Sequence, residues 1–256
     1  MKIAVCIKQV PDSAAKVVVE NGKPGWGDSP LVINPWDEFA MEAALRQKEA
    51  FGGTVTAITV GGEGTKEALK HALAMGADDA ILINDPALVN LDSQGVSQIL
   101  SAAIQKLGGV DLAFFGRQAI DGDSGIVPAQ TARLLKWPAL TLVAALQVEN
   151  GTAKVERSTE EGRQILNAKL PVVISVAKDF GEPRYPSFMG IRKAQRAEIP
   201  SWSLSDLSVS APSPSITWLE FMNLPARDVK CEMISGGTSE EIATSLVDKI
   251  LAEKVL

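Results

Sequence analysis

Val110 to Phe115 reads VDLAFF and runs directly into Gly116 to Ala129, GRQAIDGDSGIVPA. An apolar run short enough for a strand buried on both faces is followed by a turn rich in Gly, Asp and Ser, and then by helical periodicity from Val127 to Leu135. The loop carries Asp121 and Asp123 with Gly122, Ser124 and Gly125 around them. It opens a helix, where free backbone N–H groups and the positive end of the dipole attract phosphate. The same residues also read simply as an Asp/Gly turn with a helix cap. No Walker A lysine is present, and KQVPDSAAK (8–16) stands where GxGxxG would follow the first strand, which argues against ATP hydrolysis.

Outward from this unit the pattern repeats. KIAVCIK (2–8), TVTAITV (54–60, closed by Gly61-Gly62), AILI (80–83) and VVISVA (172–177, after Pro171) read as strands. DEFAMEAALRQKEA (37–50) reads as a helix capped by its acid after Pro35 and stopped by Gly52-Gly53, TKEALKHALAM (65–75) as one stopped by Gly76, and 91–107 as a third. Strands alternating with helices predict an α/β fold, a Rossmann-like doubly wound and mostly parallel sheet, with ligands beyond the carboxyl ends of its strands. Three loops then converge on one edge: Asn34-Pro35-Trp36-Asp37, Val60 with Gly61-Gly62, and Gly116 to Val127. Together they predict a nucleotide pocket, in which Trp36 either stacks on a base or plugs the core.

At 256 residues the chain holds one large domain or two small ones and buries roughly 70% of its unfolded surface. Its net charge of −6 and its 5% aromatic content argue against nucleic acid or an anionic membrane as the main partner. His71 is the only imidazole, and Cys6 and Cys231 lie far apart, so metal and histidine chemistry are nearly excluded. IAVCI is too short for a signal-peptide core, no apolar run approaches the roughly 18 residues of a span, and two unpaired thiols suit a reducing compartment. A cytoplasmic protein is expected.

The composition changes near residue 180. Gly181 to Ser235 holds six prolines and many serines, and is not expected to form a buried sheet segment. Within it, EPRYPSFMGIRK (182–193) has excess positive charge, and its paired prolines present Phe188 and Met189 either to a protein partner or back onto the chain's own sheet. A last helix is expected from Ser239 to Lys254, with Ile242, Leu246 and Ile250 on one face. The expected organisation is a nucleotide-binding domain at 1–180, a recognition loop and helix at 181–200, and an arm with its helix at 201–256.

In order along nearly the whole chain, IKQVPD (7–12), NPWDEFAMEAALRQKE (34–49), EALKHALAMGADDAILI (67–83), GRQAIDGDSG (116–125), WPALT (137–141), VER (155–157), LPVVISV (170–176) and EPRYPSFMGIRKAQ (182–195) resemble the β subunit of electron transfer flavoproteins. The resemblance implies a heterodimer that carries electrons from acyl-CoA or other flavin dehydrogenases to a quinone oxidoreductase or another acceptor. It places the redox FAD mainly on the α subunit, which the C-terminal arm embraces. Carried over by motif, the β nucleotide site comprises Cys6, Asn34, Pro35, Trp36, Asp37, Val60 and the run Gly116, Arg117, Gln118, Ala119, Ile120, Asp121, Gly122, Asp123, Ser124, Gly125, Ile126 and Val127, with Arg157 near the flavin. That site holds AMP in many members and a second FAD in electron-bifurcating ones.

Gly125-Ile126-Val127 departs from the Asn-Gln-Thr run of AMP-type members, which leaves backbone N–H contacts to phosphate. IDGD, and Asp37 after NPW, are closer to the bifurcating pattern, although those members usually keep Gln at the position of Ile126. EPRYPSFMGIRKA resembles the recognition loop, so Arg184, Tyr185, Phe188, Met189, Ile191 and Arg192 are the expected partner-binding residues, with Phe188 as anchor. From residue types alone, a stand-alone adenine-nucleotide binding or sensing domain is the alternative.

Overall fold

The structure, a computed structural model, describes residues 1–223, 225 and 231–254, and those of the expected arm at 224, 226–230 and 255–256 lie outside them. The chain opens with β1 (Lys2–Cys6) and two small ribbons, in which β2 (Gln9–Pro11) pairs with β5 (Leu31–Ile33) and β3 (Val18–Glu20) with β4 (Lys23–Gly25). Alternation follows: α1 (Pro35–Phe51), β6 (Thr54–Val60), α2 (Lys66–Met75), β7 (Asp79–Ile83), α3 (Ser93–Leu107), β8 (Leu112–Gly116) and α4 (Val127–Leu135). Then come β9 (Ala139–Glu149), β10 (Thr152–Thr159), β11 (Gly162–Lys169), β12 (Val172–Val176), α5 (Phe188–Gln195), β13 (Ser201–Trp202) and α6 (Ser239–Ala252).

One sheet orders its strands β11-β10-β9-β12-β8-β1-β6-β7-β13. From β1 the chain winds outward through β6 and β7, crosses back over β1 to β8, and winds the other way to β12, with all these neighbours parallel. The reversal falls between β1 and β8, where Cys6 sits level with Phe115. Adjacent crossovers leave opposite faces there, so a crevice opens beyond the carboxyl ends of the two strands. Alternating side chains of each strand enter two cores. Ile3, Val5, Leu112 and Phe114 pack under Met41 and Leu45 of α1 and Leu69 of α2. Ala4, Cys6, Ala113 and Phe115 pack under Ile99 and Ile104 of α3 and Leu135 of α4. Burial on both faces is why these strands read as unbroken apolar runs.

The expected doubly wound α/β class is observed, with four local differences. β9, β10 and β11 form an antiparallel extension with no counterpart among the expected strands; its turn, Asn150-Gly151, takes positive φ at both residues as a tight hairpin requires. Helix α1 starts at Pro35, whose fixed φ suits a first helical position, so Asp37 lies inside the first turn and is not its cap. Helix α3 starts at Ser93, because the Asp92 carboxylate caps it by accepting the Gly95 N–H at 2.8 Å. Finally, within the stretch not expected to form a buried sheet segment, Ser201–Trp202 adds a short, unexpected strand along the β7 edge, exposed at Ser201 and half-buried at Trp202. The Leu82 N–H donates to the Pro200 carbonyl, Asn84 N–H to that of Trp202, and the Lys106 ammonium lies 4.7 Å from the Trp202 ring centre.

The chain divides into two compact units, Met1–Glu220 and Phe221–Leu256. In the second, α6 begins with a capping box of Thr238 and Glu241 and has no buried residue.

Candidate functional site

Asp37 closes the floor of the β1/β8 crevice. Its carboxylate accepts the Lys8 N–H at 2.7 Å and the Gly116 N–H at 3.1 Å, joining the chain just past β1 to the end of β8. Residue 116 has to be glycine, since a Cβ there would lie 2.4 Å from Asp37 Oδ1 and 2.7 Å from the Trp36 carbonyl carbon. Burial pushes the Asp37 carboxyl up to about 7, against the two N–H bonds that favour its anion. Burial, and after it the Asp37 carboxylate, also raise the Cys6 thiol. Cys6 is a buried wall here and not a reactive thiol.

Asn34 holds the loop above this floor. Its side-chain amide donates to the Gln118 carbonyl at 2.8 Å and its oxygen accepts the Ile120 N–H at 3.2 Å. The loop then turns on itself: Gly122 and Asp123 N–H groups donate to the Ala119 carbonyl, Gln118 donates to Asp123 at 2.8 Å, and Asp123 and Gly125 take positive φ. Ser124 is exposed, and Ile126, the N-cap of α4, offers no side-chain acceptor to the first-turn N–H groups, the first of which belongs to Val127. Across the crevice mouth, Lys8 Nζ meets Asp121 at 2.7 Å. The Arg117 guanidinium lies 5.5 Å from the Trp36 ring centre, and Phe39 tilts against the same ring at 6.2 Å. Past β6, the Gly61 N–H donates to the Ile83 carbonyl beside half-buried Val60.

Two of the three expected loops, 34–37 and 116–125, are joined by hydrogen bonds at the strand-order reversal, and the third follows β6, the next strand of the sheet. The Asn34 and Asp37 side chains serve the chain's own backbone. Lys8 was outside the expected set, although its position immediately after the first strand places it at the mouth.

Arg157 is elsewhere, at a register shift between β10 and β9, with its Nε buried and without a hydrogen-bond partner among the described residues. The segment beyond β12 forms a second cluster. Tyr185, Phe188 and Met189 are 94%, 75% and 72% exposed, Ile191 and Arg192 are exposed, and Ser187 caps α5 through the Gly190 N–H at 2.9 Å. Arg184 turns inward to α1. Its Nε donates to Glu42 at 2.7 Å and its Nη1 to Glu49 at 2.5 Å, while its backbone N–H also reaches Glu42. Burial alone would raise the Glu42 carboxyl, but hydrogen bonds from Arg184 and Arg46 outweigh it and hold the group below its usual range. Glu42 was not anticipated, because its partner lies 142 positions away.

A doubly wound α/β chain whose strand order reverses between β1 and β8 belongs to the broad Rossmann-like class of folds. Residues 27–207 match the electron transfer flavoprotein domain. The chain is 37% identical over 264 residues to the caffeyl-CoA reductase-Etf complex subunit CarD of Acetobacterium woodii, covering all of both chains. It is 36% identical over 256 residues to the electron transfer flavoprotein subunit beta of Bacillus subtilis, covering 99% of this chain and 98% of that one. With the protein FixA of Azotobacter vinelandii it shares 40% identity over 216 residues, 79% and 74% of the two chains. The chain belongs to the electron transfer flavoprotein β-subunit family, and its role is in electron transfer.

Proposed function

We propose that this chain is the β subunit of a heterodimer whose α subunit holds most of the redox FAD, and that its own crevice between β1 and β8 buries an adenine nucleotide, AMP or a second FAD. The observation that carries the reading is the Asp37 and Asn34 scaffold: both side chains fix strand ends and loop, and the start of α4 that follows this loop has no side-chain cap, which supports a main-chain anion site there. A phosphate group fits that donor set without side-chain cations. Bound FAD supplies the electron chemistry. The chain's residues would orient it and exclude water, and Arg157, whose Nε has no hydrogen-bond partner among the described residues, would place a cation beside it. Exposed Tyr185, Phe188 and Met189 dock acyl-CoA or other flavin dehydrogenases, and electrons pass on to a quinone oxidoreductase or another acceptor in the cytoplasm.

Denaturing the purified αβ complex and quantifying released nucleotides tests this. One FAD with one AMP is the result expected of a simple carrier, and two FAD of a bifurcating complex. FAD at the α subunit with no further adenine nucleotide overturns the crevice assignment. Failure to copurify with an α-type subunit, in a chain that still binds nucleotide, replaces it with a stand-alone sensing domain.

A further inference from the structure

The segment from Phe180 to Gly190 touches the body at three places. Arg46 lies 5.7 Å from the Phe180 ring centre and donates to the Phe180 carbonyl at 3.3 Å. Arg184 meets Glu42 and Glu49 of α1. Gly190 presses α5 onto the end of α2, where a Cβ would stand 2.3 Å from the Ala74 carbonyl oxygen. Between the second and third points stand Tyr185, Phe188 and Met189, the most exposed part of the segment.

The first two points share one group. Glu42 accepts from Arg46 at 2.7 Å on one oxygen and from Arg184 at 2.7 Å on the other, and also takes the Arg184 backbone N–H at 3.2 Å. Its side chain is 6% exposed, against 60% for Glu49, so Glu42 is the sheltered centre and Glu49 the outer clasp. A sheltered carboxylate that accepts from two guanidinium groups holds both, because moving either removes a charge-assisted hydrogen bond from a group largely shielded from water.

We propose that Glu42 is a positioning residue for partner docking: without touching a partner, it sets the direction in which the Tyr185 to Met189 tip leaves the body. This rests on the docking role proposed above. Glu42 lies on α1 eight residues after Asn34, so the helix that begins at the nucleotide crevice also orients the docking tip.

The test uses the αβ complex. In E42Q, amide hydrogen exchange across 184–192 and tryptic cleavage after Arg184 are expected to rise on the order of tenfold, as loss of charged hydrogen bonds implies, while exchange in β1 and β8 and the nucleotide content stay unchanged. KM for a flavin dehydrogenase rises with little change in kcat. R184Q, which leaves the Glu42–Arg46 pair intact and removes the tryptic site, reproduces the rise in amide exchange if E42Q folds poorly. F188A serves as the reference for docking itself. If F188A raises KM while E42Q and R184Q alter neither KM nor local exchange, the positioning role is overturned. If both freeing variants raise exchange but none of the three changes KM, the docking role of the segment falls and the Glu42 anchor stands as structure alone.

Discussion

Asp37 and Glu42 stand five positions apart on α1, are 5% and 4% exposed, and are pushed in opposite directions. Burial raises Asp37 to about 7, outweighing the Lys8 and Gly116 backbone N–H groups, the Asn34 side chain and, least, the Lys8 charge, all of which favour its anion. Glu42 pays the same kind of desolvation but is flanked by Arg46 and Arg184, whose hydrogen bonds and charge hold it low. Main-chain donors favour a carboxylate without supplying net charge, whereas a guanidinium supplies both. The two regions differ accordingly. The crevice floor is held mainly by neutral donors. The segment that follows β12 is tied to α1 by charge.

The largest effect is expected from breaking the crevice floor sterically. G116A drives a Cβ into Asp37 and the Trp36 backbone, neither of which is the free end of a flexible chain. Overpacking of this kind costs about 1–3 kcal/mol or more. A urea midpoint lowered by that amount, with nucleotide lost from the αβ complex, is the expected result. An unchanged midpoint would mean that the Asp37 clamp yields freely.

R184Q breaks the charged region instead. It leaves Glu42 with one guanidinium, and loss of a hydrogen bond to a charged group costs about 1.5–3 kcal/mol. Because Glu42 is held below the unfolded value of about 4.3, its stabilisation is fully present above that pH and is lost as the pH falls through its lower folded value. R184Q should therefore flatten the acid side of the stability profile, read by denaturation between pH 2 and 5. An identical acid limb in wild type and variant would break the contrast with Asp37.

Asp37 predicts the reverse slope. Its folded value of about 7 exceeds the unfolded carboxyl's value of about 3.9, so between these limits the folded chain keeps a proton the unfolded chain has released. Stability then declines as pH rises from about 4 to about 7 and levels off above. In D37N this component disappears, and at alkaline pH the variant loses on the order of 1 kcal/mol because one N–H faces an amide donor. Denaturation of both proteins from pH 4 to 8 checks the sign, and a parallel decline in D37N would assign the slope to other groups.

What was legible in the sequence divides along similar lines. Strands β1, β6, β7, β8 and β12 are buried on both faces, so local apolar runs carry them, and their order against the helices gives the winding. β9 carries an apolar run, ALTLVAALQV (139–148), that is missing from the expected strands, whereas β10 and β11 mix residues such as Lys154, Glu156 and Arg163 into their strands and no such run marks them; the Asn150-Gly151 turn is the hairpin signal missing with it. Motif spacing pointed to the 34–37 and 116–125 loops, which hydrogen bonds join. It could not assign Asp37, whose partners lie 29 and 79 positions away, and a local capping reading filled the gap. Glu42 was invisible for the same reason: a charge on an amphipathic helix looks solvated until the segment that covers it is placed.

The smallest structural effect, and the sharpest on function, is expected from F188A. Phe188 is 75% exposed and sits at the first position of α5, so its truncation removes little buried area and should change stability by no more than about 0.5 kcal/mol. Its neighbours Tyr185 and Met189 are exposed as well, so nothing among the described residues explains an aromatic at this tip. In the docking role proposed above, it would gain its energy by burial against the partner, where anchors of this kind carry a large share of binding. F188A should therefore slow electron transfer at subsaturating dehydrogenase by about tenfold or more, with bound FAD and midpoint unchanged. Measured against R184Q, which perturbs the tie to α1 and leaves the tip intact, the pair separates contact from orientation. A raised KM in both, with a lowered midpoint only in R184Q, is the pattern that the charge-tied docking segment requires.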